Sequence, residues 1–311
     1  MKLSELDYDL PPELIAQHPL ELRDESRLLV YERATGEVRH RRFSELPEEL
    51  ASGELVVVND TRVVPARIRI ENPRGEVLLL EPTGEDGVWE ALARPTRKLR
   101  AGRRYGPVEL VEHLGGGRWL LRLEGEPAGE VPLPPYITEP LADPERYQTV
   151  YAEEEGSAAA PTAGLHFTPE LLARLDVERV TLHVGLDTFR PVAADELERH
   201  ELHGEQYAVA PEAWKRIQAA SSVLAVGTTS LRMLESLARG APLVGLTKLF
   251  VRPGFEFRRI DSLLTNFHLP RSTLLALVMA FCGIDETRRI YRLAVGERYR
   301  FYSFGDAMLI R

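Results

Sequence analysis

The run Leu55-Val-Val-Val58 constrains the fold more than any other feature of this sequence. It is apolar at every position, whereas a strand with one face in water alternates apolar and polar side chains. A continuous apolar run is typical of a strand buried on both faces, as in a parallel sheet covered by helices. The run ends at Asn59-Asp60-Thr61-Arg62, and ligands of open α/β sheets bind beyond the carboxyl ends of strands. We therefore expect an α/β sheet in which Asn59, Asp60 and Arg62 contribute to a substrate site.

The segment between residues 63 and 149 has a different pattern. Short β-prone runs alternate there with turns such as Gly115-Gly-Gly117, and no helical period is found. Strands at this spacing predict a small barrel or sandwich. Before and after this segment, strand and helix patterns alternate. We predict an α/β main domain formed by residues 1–62 and 150–311, with an inserted all-β, barrel-like domain at 63–149.

Individual elements of the second half can also be predicted. Helices are expected at Pro169–Leu175, Pro211–Ala220, Ser230–Arg239, Ser272–Phe281 and Asp285–Leu293. Strands are expected at Arg179–Val184 and Val223–Val226.

Composition excludes several classes of protein. The longest apolar run, Leu274–Cys282, is too short to span a bilayer. Met1 leads into Ser4-Glu5-Leu6-Asp7 without the basic and apolar regions of a signal peptide. Cys282 is the only cysteine, which excludes an internal disulfide and a cysteine-based zinc cluster. We expect a cytoplasmic monomer that does not enter a membrane and needs no obligatory protein partner.

Charge is distributed unevenly along the chain. The net charge is −9, which argues against a general nucleic-acid binder. One stretch of eleven residues, however, contains six basic side chains and no acid: Arg94, Arg97, Lys98, Arg100, Arg103 and Arg104. This run is either a solvated turn or a local patch that binds phosphates.

Five of the eight histidines lie between residues 166 and 268, each in a run of small, hydroxylated or charged residues. Core packing does not need Gly, Thr, His and Arg grouped in this way, whereas a site that binds a charged ligand and moves protons does. The candidate catalytic residues are His166, His183, His200, His203, Glu205 and His268.

Three of these residues also allow a different interpretation. His200, His203 and Glu205 are a familiar set of metal ligands, which would make the protein a metal-dependent hydrolase. The spacing is not that of the HExxH motif, because only two residues separate the histidines. We therefore favour a proton-transfer or substrate-orienting role over a metal site, with solvated histidines as the remaining alternative.

The segment Val223–Glu235 has the pattern of a strand, a glycine turn and a helix. Free amides at the helix N-terminus, next to hydroxyl groups, suit a carboxylate or a phosphate, although an ordinary capped helix has the same pattern. The candidate binding residues here are Gly227, Thr228, Thr229, Ser230 and Arg232. Further candidates in the other runs are Thr162, Gly164, Gly185, Asn266 and Arg271.

Taken together, these segments resemble one family along the full length of the chain. The resemblance is to the S-adenosylmethionine:tRNA ribosyltransferase-isomerases of queuosine biosynthesis. The segments that carry it are Asp7-Tyr-Asp-Leu-Pro-Pro12, Ser26-Arg-Leu-Leu29, Val57-Val-Asn-Asp-Thr-Arg62, Pro132-Leu-Pro-Pro-Tyr-Ile137, Tyr147-Gln-Thr-Val-Tyr151, Ala160–Phe167, Val180–Gly185, Ala225–Ser230, Thr265–Thr273 and Tyr299–Met308. One departure is Asp187, which stands where the family usually has a second glycine after His-Val-Gly.

The resemblance implies a reaction and its partners. The ribosyl group of S-adenosylmethionine would pass to an aminomethyl-deazaguanine at the wobble position of the tRNA anticodon arm and be rearranged there. Adenine and methionine would be released, with S-adenosylmethionine as co-substrate and no metal or other cofactor. The resemblance also implies a β-barrel domain joined to an α/β domain, with the site at their junction. A non-catalytic RNA-binding module is the third alternative, but it leaves the histidine cluster unexplained.

Overall fold

A computed structural model of the chain describes residues 3–185 and 204–311. The described residues form seventeen strands: β1 (Arg27–Tyr31), β2 (Val38–Arg42), β3 (Leu55–Asn59), β4 (Thr61–Val63), β5 (Arg67–Ile70), β6 (Gly75–Pro82), β7 (Val88–Arg94), β8 (Arg103–Tyr105), β9 (Val108–Gly115), β10 (Arg118–Leu123), β11 (Glu154–Ser157), β12 (Val177–Leu182), β13 (Glu205–Ala208), β14 (Val223–Val226), β15 (Val244–Thr247), β16 (Ser262–Asn266) and β17 (Ala307–Ile310). They also form six α-helices: α1 (Leu46–Glu49), α2 (Pro169–Leu172), α3 (Pro211–Ala219), α4 (Thr228–Leu237), α5 (Thr273–Cys282) and α6 (Ile284–Gly296).

A nine-stranded mixed sheet forms the centre of the protein, in the order β15-β13-β12-β3-β14-β16-β17-β1-β2. Strand β3 is parallel to β12 on one side and to β14 on the other, and β14 is parallel to β16. The carboxyl ends of these four strands therefore meet at one edge of the sheet, which is where open α/β sheets bind their ligands.

The apolar run in β3 is buried on both faces, as its sequence predicts. Leu55 and Val57 pack in a core cluster with residues of α4, α5 and α6. Val56 and Val58 point to the opposite face and pack in a second cluster that includes Phe43. Successive side chains of a strand alternate between faces, so a strand covered on both sides is apolar throughout.

The predicted all-β domain is present as a six-stranded antiparallel sheet in the order β5-β6-β7-β10-β9-β8. It has its own core, in which Trp119 packs with Val77 and Leu110. The edge strands β5 and β8 do not pair with each other, so the sheet is open rather than a closed barrel. All six strands lie within residues 63–149, whereas the boundaries of the insertion stay a prediction.

The predicted helices and strands of the second half are confirmed, with shifted ends. The helix expected at Pro169–Leu175 ends at Leu172, and Thr168 caps it by accepting a hydrogen bond from the amide of Leu171 over 3.2 Å. The expected strand Arg179–Val184 is β12, which begins at Val177. Within the described residues, none of the helices has both the length and the apolar character needed to cross a bilayer.

Candidate active site

A cleft of about 500 Å³ lies beyond the carboxyl ends of β14 and β16. It brings together six of the residues that the sequence singles out: Thr162, Gly227, Thr228, Thr229, Asn266 and His268. The three segments that supply them are spread over residues 162–268, and the parallel pairing of β14 with β16 places two of them side by side. The structure therefore places these six candidates around one cleft, and their role in binding or catalysis stays a prediction.

The N-terminus of α4 forms one wall of this cleft. Gly227 precedes the helix with a φ of 88°, a conformation that favours glycine. Among the described residues, the amides of Thr228, Thr229 and Ser230 have no hydrogen-bond acceptor. The Ser230 hydroxyl is fully buried and donates to the Val226 carbonyl over 2.8 Å, so its side chain does not face the cleft. The wall thus offers helix N-terminal amides and two threonine side chains, an arrangement that favours an anion.

Asn266 links the cleft to His166. Its carboxamide accepts a hydrogen bond from the Thr162 hydroxyl over 3.2 Å and donates to Nε2 of His166 over 3.1 Å. Nδ1 of His166 lies 2.7 Å from the Ser26 hydroxyl. Because Nε2 accepts, Nδ1 carries the proton and donates to Ser26. Both ring nitrogens of His166 are thereby used, and the imidazole orients the Asn266 side chain.

The His166 ring is buried and stacks on Phe43 with ring centroids 4.9 Å apart. Burial lowers the pKa of His166 to about 3, and the nearby charges of Arg300 and Arg23 act in the same direction. His166 is therefore neutral at physiological pH.

His268 lines the cleft directly. Its Nε2 lies 2.8 Å from the Thr265 hydroxyl, and its backbone amide donates to the Tyr291 hydroxyl over 3.0 Å. Burial lowers the pKa of His268 to about 3. No described residue forms a hydrogen bond with Nδ1, which leaves this atom available to a ligand in the cleft.

His183 follows β12 and is only partly buried. Its Nδ1 lies 2.9 Å from the Thr61 hydroxyl, and its ring packs so closely on Gly156 that a Cβ there would lie 2.8 Å from the imidazole. Burial lowers the pKa of His183, and the charge of Glu154 opposes that shift. His183 does not line the cleft, although the next residue, Val184, does.

Asn59 and Asp60 connect β3 to β12. The Asn59 carboxamide donates to the Leu182 carbonyl over 2.8 Å and accepts from the Leu182 amide over 2.9 Å. Asp60 accepts from the Thr181 hydroxyl over 2.8 Å, and burial raises the pKa of its carboxyl group. Their side chains hold the carboxyl ends of the strands in position and do not line the cleft.

Glu205 and Arg232 form a buried ion pair, with 5% and 8% of their side chains exposed. Nε of Arg232 donates to the Leu249 carbonyl over 2.9 Å, and its Nη2 is buried without a hydrogen-bond partner. A carboxylate that is bound to a guanidinium is a poor ligand for a metal ion. No group of three His, Cys, Asp or Glu residues within 3–185 and 204–311 is arranged to hold a metal. His200, His203 and Asp187 lie outside the described residues.

The remaining predicted binding residues lie outside the cleft. Arg62 pairs with Glu145 over 2.7 Å, and Arg271 donates to Asp7 over 2.8 Å. Gly164 is a packing position, because a Cβ there would lie 2.0 Å from the Tyr151 hydroxyl. Gly185 is the last described residue before the gap in the described chain, and a Cβ there would meet no atom within 4 Å.

The structure adds cleft residues that sequence reasoning did not assign. Tyr136 and Ser303 line the cleft, and their hydroxyl oxygens are 2.7 Å apart. Tyr302 also lines it and has a φ of 70°, which is rare for a bulky residue. The Tyr302 amide donates to the Phe267 carbonyl over 3.1 Å, which holds the loop in this conformation. Tyr136 and Ser303 lie in segments that carry the family resemblance, and this was the sequence feature that could have identified them as candidate site residues.

The six basic side chains of the run between Arg94 and Arg104 are exposed. Arg104 is paired with Glu124 and Glu109. The other five basic residues of this run form no ion pair among the described residues, which leaves five cations available to a partner: Arg94, Arg97, Lys98, Arg100 and Arg103.

The chain is similar to known proteins along its whole length. The family model described as queuosine biosynthesis protein matches residues 3–310. A relative from Rubrobacter xylanophilus named S-adenosylmethionine:tRNA ribosyltransferase-isomerase is 52% identical over all of this chain and 98% of its own length. A relative of the same name from Symbiobacterium thermophilum is 51% identical, with both chains covered completely.

A solved structure is also similar. The crystal structure of S-adenosylmethionine tRNA ribosyltransferase from Thermotoga maritima is 38% identical and covers 99% of this chain and 100% of its own, with a TM-score of 0.59. The match spans both the nine-stranded sheet and the antiparallel sheet. This chain belongs to the queuosine biosynthesis protein family.

Proposed function

We propose that this protein is an S-adenosylmethionine:tRNA ribosyltransferase-isomerase. It transfers the ribosyl group of S-adenosylmethionine to 7-aminomethyl-7-deazaguanine at the tRNA wobble position and isomerises it. The products are epoxyqueuosine-tRNA, adenine and methionine. Support comes from the name that full-length relatives share at about 50% identity and from the family model that matches nearly the whole chain.

The observation that carries the proposal is the cleft beyond β14 and β16. Its walls come from Ala160–Phe167, Ala225–Ser230 and Thr265–Thr273, three of the segments on which the family resemblance rests. S-adenosylmethionine has a carboxylate, a sulfonium and an adenine ring. In this proposal the carboxylate binds the free amides at the N-terminus of α4. The aromatic side chains of Tyr136 and Tyr302 provide surfaces for the adenine.

The reaction needs several proton transfers. The sulfonium acidifies the adjacent ribose carbon, adenine leaves more readily when protonated, and the incoming aminomethyl group has to lose a proton. The fully buried imidazoles of His166 and His268 are poor bases at neutral pH and suit fixed hydrogen bonds. His183 retains partial exposure and a carboxylate neighbour, which makes it the described imidazole best suited to exchange protons.

The finer expectations are part of the same proposal. The protein would act in the cytoplasm as a monomer, on the anticodon arm of tRNA, with S-adenosylmethionine as co-substrate and no metal or redox cofactor. The proposal is tested by incubating the protein with S-adenosylmethionine and tRNA that carries the deazaguanine precursor. Nucleoside mass spectrometry should then show epoxyqueuosine, and free adenine and methionine should appear in equal amounts.

A further inference from the structure

A second cavity, of about 300 Å³, lies on the far side of one wall of the cleft. Three arginines line it, Arg23, Arg146 and Arg300, together with His166 and Ser303. Ser303 also lines the cleft. The two cavities are therefore adjacent in the fold.

The three guanidinium groups are held by backbone carbonyl oxygens instead of carboxylates. Their acceptors are the carbonyls of Leu165 for Arg23 at 3.0 Å, of Glu21 for Arg146 at 3.1 Å, and of His18 for Arg300. In the part of the chain that the structure describes, none of the three arginines forms an ion pair, and no residue lining the cavity is acidic. Their positive charges are held in place without a direct ion pair, although Asp143 and Glu145 lie near Arg23 and Asp306 lies near Arg300.

Two donor atoms of this cluster lack an acceptor. Nη1 of Arg300 and Nε of Arg146 are buried without a hydrogen-bond partner. Burial lowers the pKa of both Arg23 and Arg300, and the charge of Arg146 lowers that of Arg23 further, while the carboxylates of Asp143 and Glu145 near Arg23 and of Asp306 near Arg300 offset part of these shifts. Half-buried guanidinium groups that repel one another, two of which keep a buried donor atom without an acceptor, suit an oxyanion, because an oxyanion supplies both negative charge and acceptor oxygen atoms.

We infer that the cavity formed by Arg23, Arg146 and Arg300 binds a phosphodiester group of the RNA, next to the nucleotide whose base enters the cleft. This inference rests on the proposed function. Two observations favour the RNA backbone over the carboxylate of S-adenosylmethionine. The cleft already offers that carboxylate the free amides of α4, and a chain of net charge −9 needs local cations to hold RNA.

The first arm of the test uses the unaltered protein. The probe is an anticodon stem-loop with the deazaguanine at the wobble position, in which one phosphodiester at a time is replaced by a neutral methylphosphonate. We expect one linkage beside the wobble nucleotide to weaken binding roughly tenfold when it is neutralised, the scale of a lost charge-assisted hydrogen bond. Uniform affinity across all linkages would contradict the inference.

The second arm uses Arg146→Gln and Arg300→Gln. Each should weaken stem-loop binding roughly tenfold and lower the slope of log affinity against log salt by about 0.7 per lost contact. Neutralising the sensitive linkage should then have little further effect in the variants. The control is Arg259→Gln, because Arg259 is also half-buried and also donates to backbone carbonyls, those of Ile217 and Ala220. It pairs with Asp261 over 3.5 Å and lines neither cavity.

The outcomes separate this inference from the proposed function. Unaltered protein that does not convert the stem-loop contradicts the proposed function, whatever the variants do. Conversion by the unaltered protein, with wild-type RNA affinity in both arginine variants, overturns the phosphate pocket alone. If the arginine variants lose affinity for S-adenosylmethionine while the salt slope of stem-loop binding is unchanged, the pocket binds the carboxylate of S-adenosylmethionine instead. If a glutamine variant unfolds, Arg300→Lys is used instead. It keeps the positive charge but replaces the planar guanidinium, with its several N–H donors, by a single ammonium group, and it should still weaken binding of the stem-loop.

Discussion

The Asn266 carboxamide donates to Nε2 of His166 over 3.1 Å, and this bond fixes the orientation of the carboxamide and the tautomer of the imidazole. The carboxamide faces the cleft, whereas the imidazole is buried behind it and is bound to Ser26 through its other nitrogen. A histidine in this arrangement has no free lone pair with which to accept a proton. His166 therefore acts as a positioning residue for Asn266.

This relationship predicts the effect of His166→Gln. The glutamine oxygen can replace Nε2 as acceptor, so kcat/KM should fall by about 10- to 100-fold through poorer positioning rather than be abolished. Because the pKa of His166 is about 3, the residue stays neutral between pH 5 and 9. The acidic limb of the pH profile of kcat/KM should therefore keep its midpoint in the variant. Disappearance of that limb would identify His166 as a general base.

A second prediction concerns Thr229 at the start of α4. Thr229→Val keeps the shape of the side chain and removes its hydroxyl from the cleft. S-adenosylmethionine binding measured by calorimetry should weaken by about 1–2 kcal/mol, the scale of a lost buried hydrogen bond. Ser230→Ala in the same helix turn is the control, since that hydroxyl is bonded to Val226 and affinity should be unchanged. If the unaltered protein and both variants bind S-adenosylmethionine with equal affinity, the Thr229 hydroxyl does not contact this ligand.

A third prediction concerns metal ions. Glu205 is bound to Arg232, so we expect activity to survive extended treatment with EDTA. Metal analysis of the purified protein should find less than stoichiometric zinc or iron. Activity that is lost in EDTA and restored by one of these metals would support the hydrolase-type site at His200, His203 and Glu205.

The basic loop leads to a fourth prediction. Arg97, Lys98 and Arg100 are exposed, and reversing all three to glutamate should raise the KM for tRNA and flatten its salt dependence. Each lost phosphate contact should lower the salt slope by about 0.7–0.9, while S-adenosylmethionine affinity stays the same. Lys215→Glu on α3 provides a control for a change in net charge elsewhere. Wild-type tRNA kinetics in the triple variant across a salt series would show that the loop is a solvated turn.

Much of the fold follows from local sequence patterns. Leu55–Val58 predicts a strand covered on both faces because every position is apolar, and β3 is buried on both sides. The turn at Gly227 predicts a helix N-terminus because strand, glycine and hydroxyl residues follow one another, and α4 begins at Thr228. In both cases the determining interactions lie within a few residues of sequence.

The parts that the sequence did not predict depend on distant contacts. Glu205 and Arg232 look like independent candidates, but the fold pairs them in the interior. Tyr136 is held at the cleft by residues far along the chain, since its hydroxyl is hydrogen-bonded to Ser303 and its ring packs on Tyr302. Whether a histidine faces a cleft or a neighbouring side chain is likewise decided by tertiary packing, as the buried ring of His166 shows.

The central claim is transfer of the ribosyl group to RNA, and isotope labelling tests it most directly. The protein is incubated with S-adenosylmethionine labelled with carbon-13 at every ribose carbon and with the deazaguanine-containing anticodon stem-loop, and the nucleosides are then analysed by mass spectrometry. We predict that the modified nucleoside contains the complete labelled pentose unit, while the released adenine and methionine are unlabelled. An RNA that gains no label would contradict the account, as would one in which only the methyl group of S-adenosylmethionine is transferred.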